Sequence, residues 1–459
     1  MSVPPNSSRR PSISSTALGD SPPPPVSVVV PHRWRKFGAV ALPLWADNNE
    51  VSVLSVLAPV IIKALALPTS ALGLLVSVSK IISIFFGPVW AFIARKTSRK
   101  GALVVSTALV GIGTAATGLA QNFTQLLLLW SLAAVFIAAS LPIVSEITAD
   151  LFDEKTRGRA SGYTWGAVSL LGSIAGPLIG QLSKVHDGWR YGFFIFGAID
   201  LLAALIVLIG FQDPGLGASE PSLRSLTAQQ RTDNAKLTWS KVQQMIKIPT
   251  FALMLGQRLL SGHLLIGTFG VLFLVKTYGF TTSTAALVTL PFGIGYLVGT
   301  IGGGLVTDAL NRRNPRSGRI VVLQVAQFGF AAAAIIGTQF NWHSIAVFAV
   351  FWALMGMMQG INPGVNRPIV MAVIPPELRG AAFALMLSVF EAFAYVVYNL
   401  AAGYLSDAIG LKTVILLIPG ILMIVNGFYC TLLYRTYPKD AANLAALMAA
   451  RERESAPTA

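Results

Sequence analysis

The residues of this sequence most suited to chemistry are ionisable side chains that stand inside long apolar stretches. Asp47 and Glu50 lie three residues apart, so a helix places them on one face. Two carboxylates this close in a low-dielectric environment repel each other, which favours the binding of a proton. Arg258 lies in another apolar stretch and keeps its charge, so it is the expected counter-ion for these acids or for an anionic substrate group. The alternative is that one acid only pairs with a basic residue and locks helix packing.

Further polar residues form a second set of candidates. Glu391 is a lone carboxylate, expected to be a second proton site or a substrate contact. For His263, the alternative is a hydrogen-bonded packing role, and Asp200, which has no polar neighbour, is also expected to have a packing role. We expect substrate contacts from the polar residues that neighbour the charges or share a helical face with them: Asn48, Asn49, Gln257, Arg258, His263, Asn362, Asn366, Tyr395, Tyr398 and Asn399.

The composition shows which elements must position these residues. The 459 residues are 54% hydrophobic and only 12% charged, with a mean hydropathy of +0.66. Soluble domains are about a quarter charged, so a water-soluble globular protein is excluded. Apolar runs of about 20 residues cross a bilayer as helices. Twelve are predicted, at 37–65, 70–94, 101–119, 123–148, 160–183, 190–211, 250–275, 285–308, 319–338, 345–371, 381–404 and 411–434.

Polar segments divide these spans into two halves. Residues 1–36, rich in Ser and Pro, are predicted to be a disordered tail with no cleavable signal peptide. The longest internal polar stretch, 212–248, is predicted to link a six-helix bundle at 37–211 to a second one at 249–435. Residues 436–459 are predicted to form a second tail with a short surface helix. The expected fold is therefore an all-α membrane protein of twelve transmembrane helices in two pseudo-symmetric bundles.

The distribution of Lys and Arg predicts the orientation in the membrane. With the N-terminus in the cytoplasm, the inner segments carry 26 of the 34 Lys and Arg residues and the outer loops carry four. The other four, Lys63, Lys80, Arg258 and Arg367, lie within or at the ends of spans. Because cytoplasmic loops are enriched in positive charge, both termini are expected in the cytoplasm. The net charge of +15 is then an orientation signal that faces anionic lipid, and no nucleic-acid partner is expected.

Several classes of protein are disfavoured by the residues that are present. The single Cys430 rules out a disulfide scaffold, and the four histidines lack metal-ligand spacing. The sequence contains no phosphate-binding glycine loop and no motif of a zinc or serine hydrolase. We therefore expect neither an enzyme nor a cofactor, and secondary transport is the favoured interpretation.

The two halves repeat one another near the predicted inner surface. Arg157-Gly158 follows the fourth span, and Arg379-Gly380 follows the tenth, 222 residues later. The same shift places Glu146 at position 368, beside Arg367. We predict that Glu146 and Arg367 approach across the pseudo-twofold axis and close the inner mouth, with Arg157 and Arg379 in the same gating region. The alternative is that Arg367 extends to the inner interface.

A third motif lies between the eighth and ninth spans, where Asp308 precedes Arg312 and Arg313. With this motif and the repeats, the sequence resembles the major facilitator superfamily over residues 37–435, and a carboxylate with arginines near helix ends is suited to a latch. It resembles the Spinster-like branch most, through Ala46-Asp47, Pro88-Val89-Trp90-Ala91, Gly188-Trp189-Arg190 and Asn366-Arg367-Pro368-Ile369. The sequence departs from the family pattern at two positions. In the first-half copy of the latch motif it has Arg95 in place of the family's aspartate, and after Asp47 it has Asn48 in place of the arginine usual in the branch.

The resemblance implies two six-helix bundles around a central cavity that opens alternately to each side. Spinster-like relatives are associated with lysolipids and sphingoid lipids, and the Gly172, Gly176, Pro177, Gly180 pattern resembles that of antiporters. The expected function is proton-coupled export of a hydrophobic or amphiphilic small molecule by a plasma-membrane monomer. The alternatives are an uptake carrier for a small polar metabolite and a non-transporting receptor on the same scaffold.

Overall fold

The computed structural model describes residues 30–152, 154–215, 218 and 239–455, and the regular structure in these ranges is helical. Ten helical segments are long and apolar enough to cross a membrane. Two further helices, of 32 and 28 residues, are the first and the fifth long helices along the chain. The helices are α1 (Arg33–Ala64), α2 (Ser70–Lys96), α3 (Arg99–Thr117), α4 (Phe123–Leu151), α5 (Glu154–Gln181), α6 (Gly188–Gly210), α7 (Pro249–Tyr278), α8 (Thr282–Arg313), α9 (Gly318–Gln339), α10 (Ile345–Val373), α11 (Arg379–Ile409) and α12 (Leu411–Ser455).

The all-α membrane fold predicted from the sequence is confirmed, with differences at the boundaries. Helix α1 begins at Arg33, four residues before the predicted start of the first span. The last helix does not end at 435 but continues to Ser455, because the Ala- and Leu-rich sequence after the last span keeps helical propensity. Most of the predicted linker and the first 29 residues lie outside the described part of the chain, which shows a short helix at Trp239–Ile246.

Four helices among the described residues contain irregular segments, and in α12 this is a π-helical segment at Leu416–Leu422. Helix α4 is interrupted at Ala138 and Ala139, and α7 is interrupted at Leu260 and Ser261 before a short 3-10 turn. Helix α11 contains a π-helical segment that ends at Glu391. Such irregularities often mark functional sites, since they redirect side chains and free backbone groups.

The two bundles meet closely at one end, which we name the joined end. It carries the α1–α2 turn, the end of α7 and the end of α11. A Cβ atom at Gly73 of α2 would lie 2.2 Å from the Asn399 carbonyl oxygen of α11, so only glycine permits this contact. Gly180 of α5 is similarly close to Ala286 of α8. We name the opposite end, where Arg95, Arg312 and Arg379 lie, the basic end.

A carboxylate ties the bundles together at the joined end. Asp407 of α11 accepts hydrogen bonds from the backbone N–H groups of Thr69 and Ser70, both at 2.9 Å. These donors begin α2, where an anion is stabilised by unpaired N–H groups and by the helix dipole. Lys276 of α7 donates to the Thr69 hydroxyl beside them. The joined end is therefore held by a cap from one bundle on a helix of the other.

We expect Asp407→Asn to loosen the joined end, because the neutral amide loses the charge that the helix N-terminus stabilises. A cysteine introduced at Ser55, which lines the cavity between the bundles, reports the change. Labelling of that cysteine by a membrane-impermeant maleimide, added at the joined end of oriented vesicles, is expected to accelerate severalfold. The native Cys430 is buried and contributes little background.

The matched control is Asp440→Asn. Asp440 of α12 accepts the Thr250 N–H at 2.8 Å and caps α7 within its own bundle. Both substitutions remove the charge from an N-terminal cap, but only Asp407 joins the two bundles. Equal labelling rates in the two variants would show that the Asp407 cap does not hold the joined end closed.

Candidate functional site

Three carboxyl groups meet inside the N-terminal bundle. Asp47 and Glu50 of α1 are 3% and 0% exposed, and Asp200 of α6 is 0% exposed and lies beside Glu50. Their neighbours are hydroxyl groups: Ser140 donates to Asp47, and Thr114 donates to Glu50 at 2.6 Å. Among the described residues, no Lys, Arg or His forms an ion pair with these acids. The site can hold hydrogen-bonded, protonated carboxyls at far lower cost than three dry charges.

Helix α1 carries this acid cluster on one face and lines a cavity with another. Asn48, Val51, Ser52 and Ser55 are spaced as one helical stripe, and the last three line a cavity of about 200 Å³. Asp47 and Glu50 are on the opposite stripe, toward α3, α4 and α6. Of the predicted substrate contacts on α1, exposed Asn48 is on the cavity stripe. Asn49 is buried, and its amide donates to the Trp45 carbonyl at 2.8 Å.

Arg258 pairs with a different acid from the ones expected. Its Nη1 lies 3.3 Å from Oε2 of Glu391, within the C-terminal bundle. The Arg258 side chain is 6% exposed and that of Glu391 is 28% exposed, and Glu391 lies one helical turn before Tyr395, which lines the cavity. The structure does not show the expected pairing of Arg258 with Asp47 or Glu50, because those two acids point into the interior of the N-terminal bundle.

The interruption of α7 positions Arg258. The break leaves the carbonyl groups of Leu259 and Leu260 without helical partners, and two other helices supply donors for them. Tyr398 of α11 donates to the Leu259 carbonyl, and Asn426 of α12 donates to that of Leu260 at 3.0 Å. Tyr398, predicted as a substrate contact, thus caps a broken helix in the described state.

The cavity lies between α1, α7 and α11 and has a mixed lining. Its hydroxyl groups come from Ser52, Ser55, Thr268 and Tyr395, and its apolar surface comes from Val51, Leu264 and Gly267. Tyr395 and Thr268 are hydrogen-bonded at 3.2 Å, and Asn399 donates to the Tyr395 carbonyl at 2.7 Å. Tyr395 therefore contacts the cavity as expected for a substrate residue, whereas Asn399 is buried where α11 packs on α2.

Four other predicted substrate contacts lie inside the C-terminal bundle. Asn362 of α10 accepts a hydrogen bond from Gln327 of α9 at 2.9 Å, and His263 packs edge-on against Phe330. Gln257 and Asn366 are 0% and 1% exposed. These four side chains were expected to face the cavity, but sequence spacing does not fix how a helix is rotated about its axis. For His263, the position against Phe330 favours the packing alternative.

At the basic end, Glu146 is engaged within its own bundle. It lies 3.1 Å from Arg95 and 4.0 Å from Arg99, and Arg99 also pairs with Asp150 and Asp213. No ion pair joins Glu146 to Arg367 in the described state, in which Arg367 is exposed. Arg95, which replaces the family's aspartate, thus serves as the partner of Glu146.

The remaining gating candidates have separate positions. Asp308, Arg312 and Arg313 are exposed, and no ion pair among them is present in the described ranges. Arg379 donates to the carbonyl groups of Ile374 and Met371 and so caps the end of α10. Arg157 lies in the first turns of α5, and its side chain is outside the described part of the chain.

Two residues of the site were missed by sequence reasoning. Asp200 was expected to pack, yet it adjoins Glu50 from a distance of 150 positions along the chain. Lys80 was counted as a charge within a span and given no role. Its ammonium lies 5.9 Å over the Tyr395 ring and within electrostatic range of Glu391. The available signal was the same for both: an ionisable residue about 15 Å deep in an apolar helix marks function by default.

Comparison with known proteins gives one family throughout. A sequence profile of the Major Facilitator Superfamily matches residues 48–334 and 316–453. Multidrug resistance protein 3 of Bacillus subtilis is 23% identical over 67% of this chain and 67% of its own. The benzoate transport protein of Acinetobacter baylyi is 24% identical over 85% of this chain and 91% of its own. A solved bacterial homologue of the human lysosomal transporter Spinster, inward-facing and unoccupied, has a TM-score of 0.72, with 19% identity over 89% of this chain and 98% of its own.

The Arg258–Glu391 pair gives a prediction about stability. We expect Glu391→Gln to lower the apparent unfolding temperature in detergent more than Arg258→Gln does. Loss of the acid leaves two neighbouring cations, Arg258 and Lys80, and a guanidinium cannot lose its charge. Loss of Arg258 leaves a partly exposed carboxyl that is still near Lys80 and can also take up a proton.

The double variant supplies the control for this comparison. With both charges removed, stability is expected to recover at least part of the loss seen in Glu391→Gln, since the unpaired buried charge is gone. An equal loss in the two single variants, with simple additivity in the double variant, would argue against a coupled pair at this position.

Proposed function

Because this chain belongs to the Major Facilitator Superfamily, and is a multi-pass secondary transporter that works by alternating access, we propose that a proton gradient drives it. We further propose that its substrate is a hydrophobic or amphiphilic small molecule that it exports. The observation that carries the coupling proposal is the acid cluster of Asp47, Glu50 and Asp200, which has hydroxyl partners but no cation among the described residues.

The acid cluster supports proton coupling through its cost of ionisation. A dry carboxylate costs several kcal/mol, so the acids are protonated when buried and release a proton only when water reaches them. The described state buries all three. A transition between states that admits water to this cluster therefore takes up or releases a proton.

Helix α1 provides the link between proton and substrate. Ser52 and Ser55 line the cavity, with Asn48 one turn away on the same stripe, while Asp47 and Glu50 face the bundle interior. A displacement of α1 that reshapes the cavity also shifts the acids relative to Thr114 and Ser140. One rigid helix thus connects the two sites without a direct contact between substrate and acids.

The mixed lining of the cavity supports an amphiphilic substrate. A purely apolar molecule would cover the hydroxyl groups of Ser52, Ser55 and Thr268 and leave them without partners, which is unfavourable. A molecule with a polar head satisfies them and places its apolar part near Val51 and Leu264. Among the relatives, one is named for multidrug resistance and another for transport of benzoate, a molecule that joins an apolar ring to a carboxylate.

The orientation and the gate complete the proposal. We propose that the basic end and both termini face the cytoplasm of a plasma-membrane monomer, so that the joined end faces outward. Closure of the basic end then brings Glu146 toward Arg367. Because Glu146 is paired with Arg95, that closure includes an exchange of partners, and the exposed Asp308, Arg312 and Arg313 are available for new contacts.

The decisive test uses proteoliposomes loaded with a pH gradient and a panel of amphiphilic probes: ethidium, benzoate and lysophosphatidylcholine. We expect gradient-driven accumulation of at least one probe by the native protein. Asp47→Asn, Glu50→Gln and Asp200→Asn are each expected to reduce driven accumulation at least tenfold while exchange without a gradient continues. The reason is that a neutral amide resembles a carboxyl that never releases its proton.

Asp187→Asn is the matched control, because this exposed aspartate at the start of α6 is outside the cluster. It is expected to retain native driven accumulation. If the cluster variants accumulate probe as the native protein does, these acids are not the coupling site. If no probe moves with either gradient direction while the protein remains folded, the transport proposal itself fails.

A further inference from the structure

More positive than negative charge lies beside Tyr395, a residue that lines the cavity, since the Lys80 ammonium lies over its ring and Glu391, one helical turn earlier, pairs with Arg258. Arg258 and Lys80 both lie near Glu391, so two cations share one carboxylate. Arg367 adds a third cation, which lies with Arg258 and Glu391 in electrostatic range of the Tyr296 hydroxyl. Asp47 and Glu50, which would balance this charge, are turned into the interior of the N-terminal bundle, away from these cations.

Lys80 is the least expected of these cations. It lies about ten residues, or roughly 15 Å, into α2, at the depth of the hydrocarbon core. Its ammonium faces Tyr395 of α11 across the bundle interface at 5.9 Å, and the side chain is exposed. An ammonium at this depth is stable only beside water or a counter-charge, and Tyr395 borders the cavity.

We propose that the substrate is a small amphiphilic organic anion whose carboxylate is held between Lys80 of one bundle and Arg258 of the other. This inference rests on the proposed transport function and specifies its substrate class. The carboxylate takes part of the place of Glu391 on Arg258 and adds a second negative charge beside Lys80, which otherwise shares Glu391 with Arg258. Charge-assisted hydrogen bonds of this kind are stronger than neutral ones.

The cavity volume limits the rest of the molecule. An engineered apolar cavity of about 150 Å³ holds benzene, so about 200 Å³ accommodates a body of one ring or a short alkyl chain. The apolar body lies against Val51 and Leu264, near the hydroxyl groups of Thr268 and Tyr395. Because the anion contacts both bundles, its binding also changes the energy of moving one bundle against the other.

The test compares ligands that share a shape and differ in charge. Binding of benzoate, phenylacetate and octanoate to the purified full-length protein is measured by calorimetry beside benzamide, phenylacetamide, octanamide and the cation benzamidine. We expect at least one carboxylate to bind at least tenfold more tightly than its amide, and benzamidine to bind more weakly still. Lys80→Met is expected to weaken carboxylate binding about tenfold and to remove most of the preference over the amide.

Two further variants separate a specific role from a structural one. Lys80→Arg keeps the charge and is expected to retain most of the carboxylate affinity. Lys412→Met is the matched control, because Lys412 lies 5.7 Å over the Tyr278 ring, near the joined end and outside the cavity lining. It therefore loses the same kind of cation–π contact, and native carboxylate binding is expected.

The outcomes distinguish this inference from the transport proposal. If amides or benzamidine bind as tightly as carboxylates, or if Lys80→Met and Lys412→Met behave alike, the anion site is wrong. If a pH gradient drives ethidium while no carboxylate binds, transport stands and the anion inference fails. If carboxylates bind through Lys80 but no gradient moves any probe, the site stands and the transport proposal fails.

Discussion

The cost of an ionised group in a dry, apolar environment is the constraint on which this structure depends. It explains why hydroxyl groups donate to Asp47 and Glu50, and why Arg258 lies against Glu391. A carboxyl group can lose its charge by taking up a proton, but a guanidinium cannot. Asp47, Glu50 and Asp200, which can be neutralised in this way, are fully buried without a cation among the described residues, whereas Arg258 keeps its charge and is paired with Glu391.

This division of charge separates the two sites that the proposed coupling requires. The acid cluster of Asp47, Glu50 and Asp200 lies in the N-terminal bundle. Arg258 belongs to the C-terminal bundle, and Lys80 of the N-terminal bundle faces Tyr395 across the interface. Helix α1 connects the two sites, since one face touches the acid cluster and another touches the cavity. The Asp407 cap on α2 links the two bundles at the joined end. Irregular segments in the helices position the functional side chains, and the break in α7 does this for Arg258.

Much of the fold followed from the sequence, and part of the site did not. Length and hydropathy were sufficient for the helices, and the cost of burial identified Asp47, Glu50, Arg258 and Glu391 as a group. Which of these residues pair was not predictable from the sequence, because pairing depends on how each helix is rotated about its axis. The break in α7 changes that rotation between the residues before it and those after it. Asp200 was overlooked because its neighbour is distant in sequence. Asn362 was misplaced because the stripe it shares with Asn366 faces Gln327, inside the bundle.

The central claim, that the buried acid cluster holds the coupling proton, is tested most directly by difference infrared spectroscopy during a pH jump. The account predicts a carbonyl stretching band of protonated carboxyl groups in the native protein near neutral pH. It further predicts that the band weakens stepwise when Asp47, Glu50 and Asp200 are replaced by their amides. Absence of that band, with only ionised carboxylate signals that the three replacements remove, would contradict it.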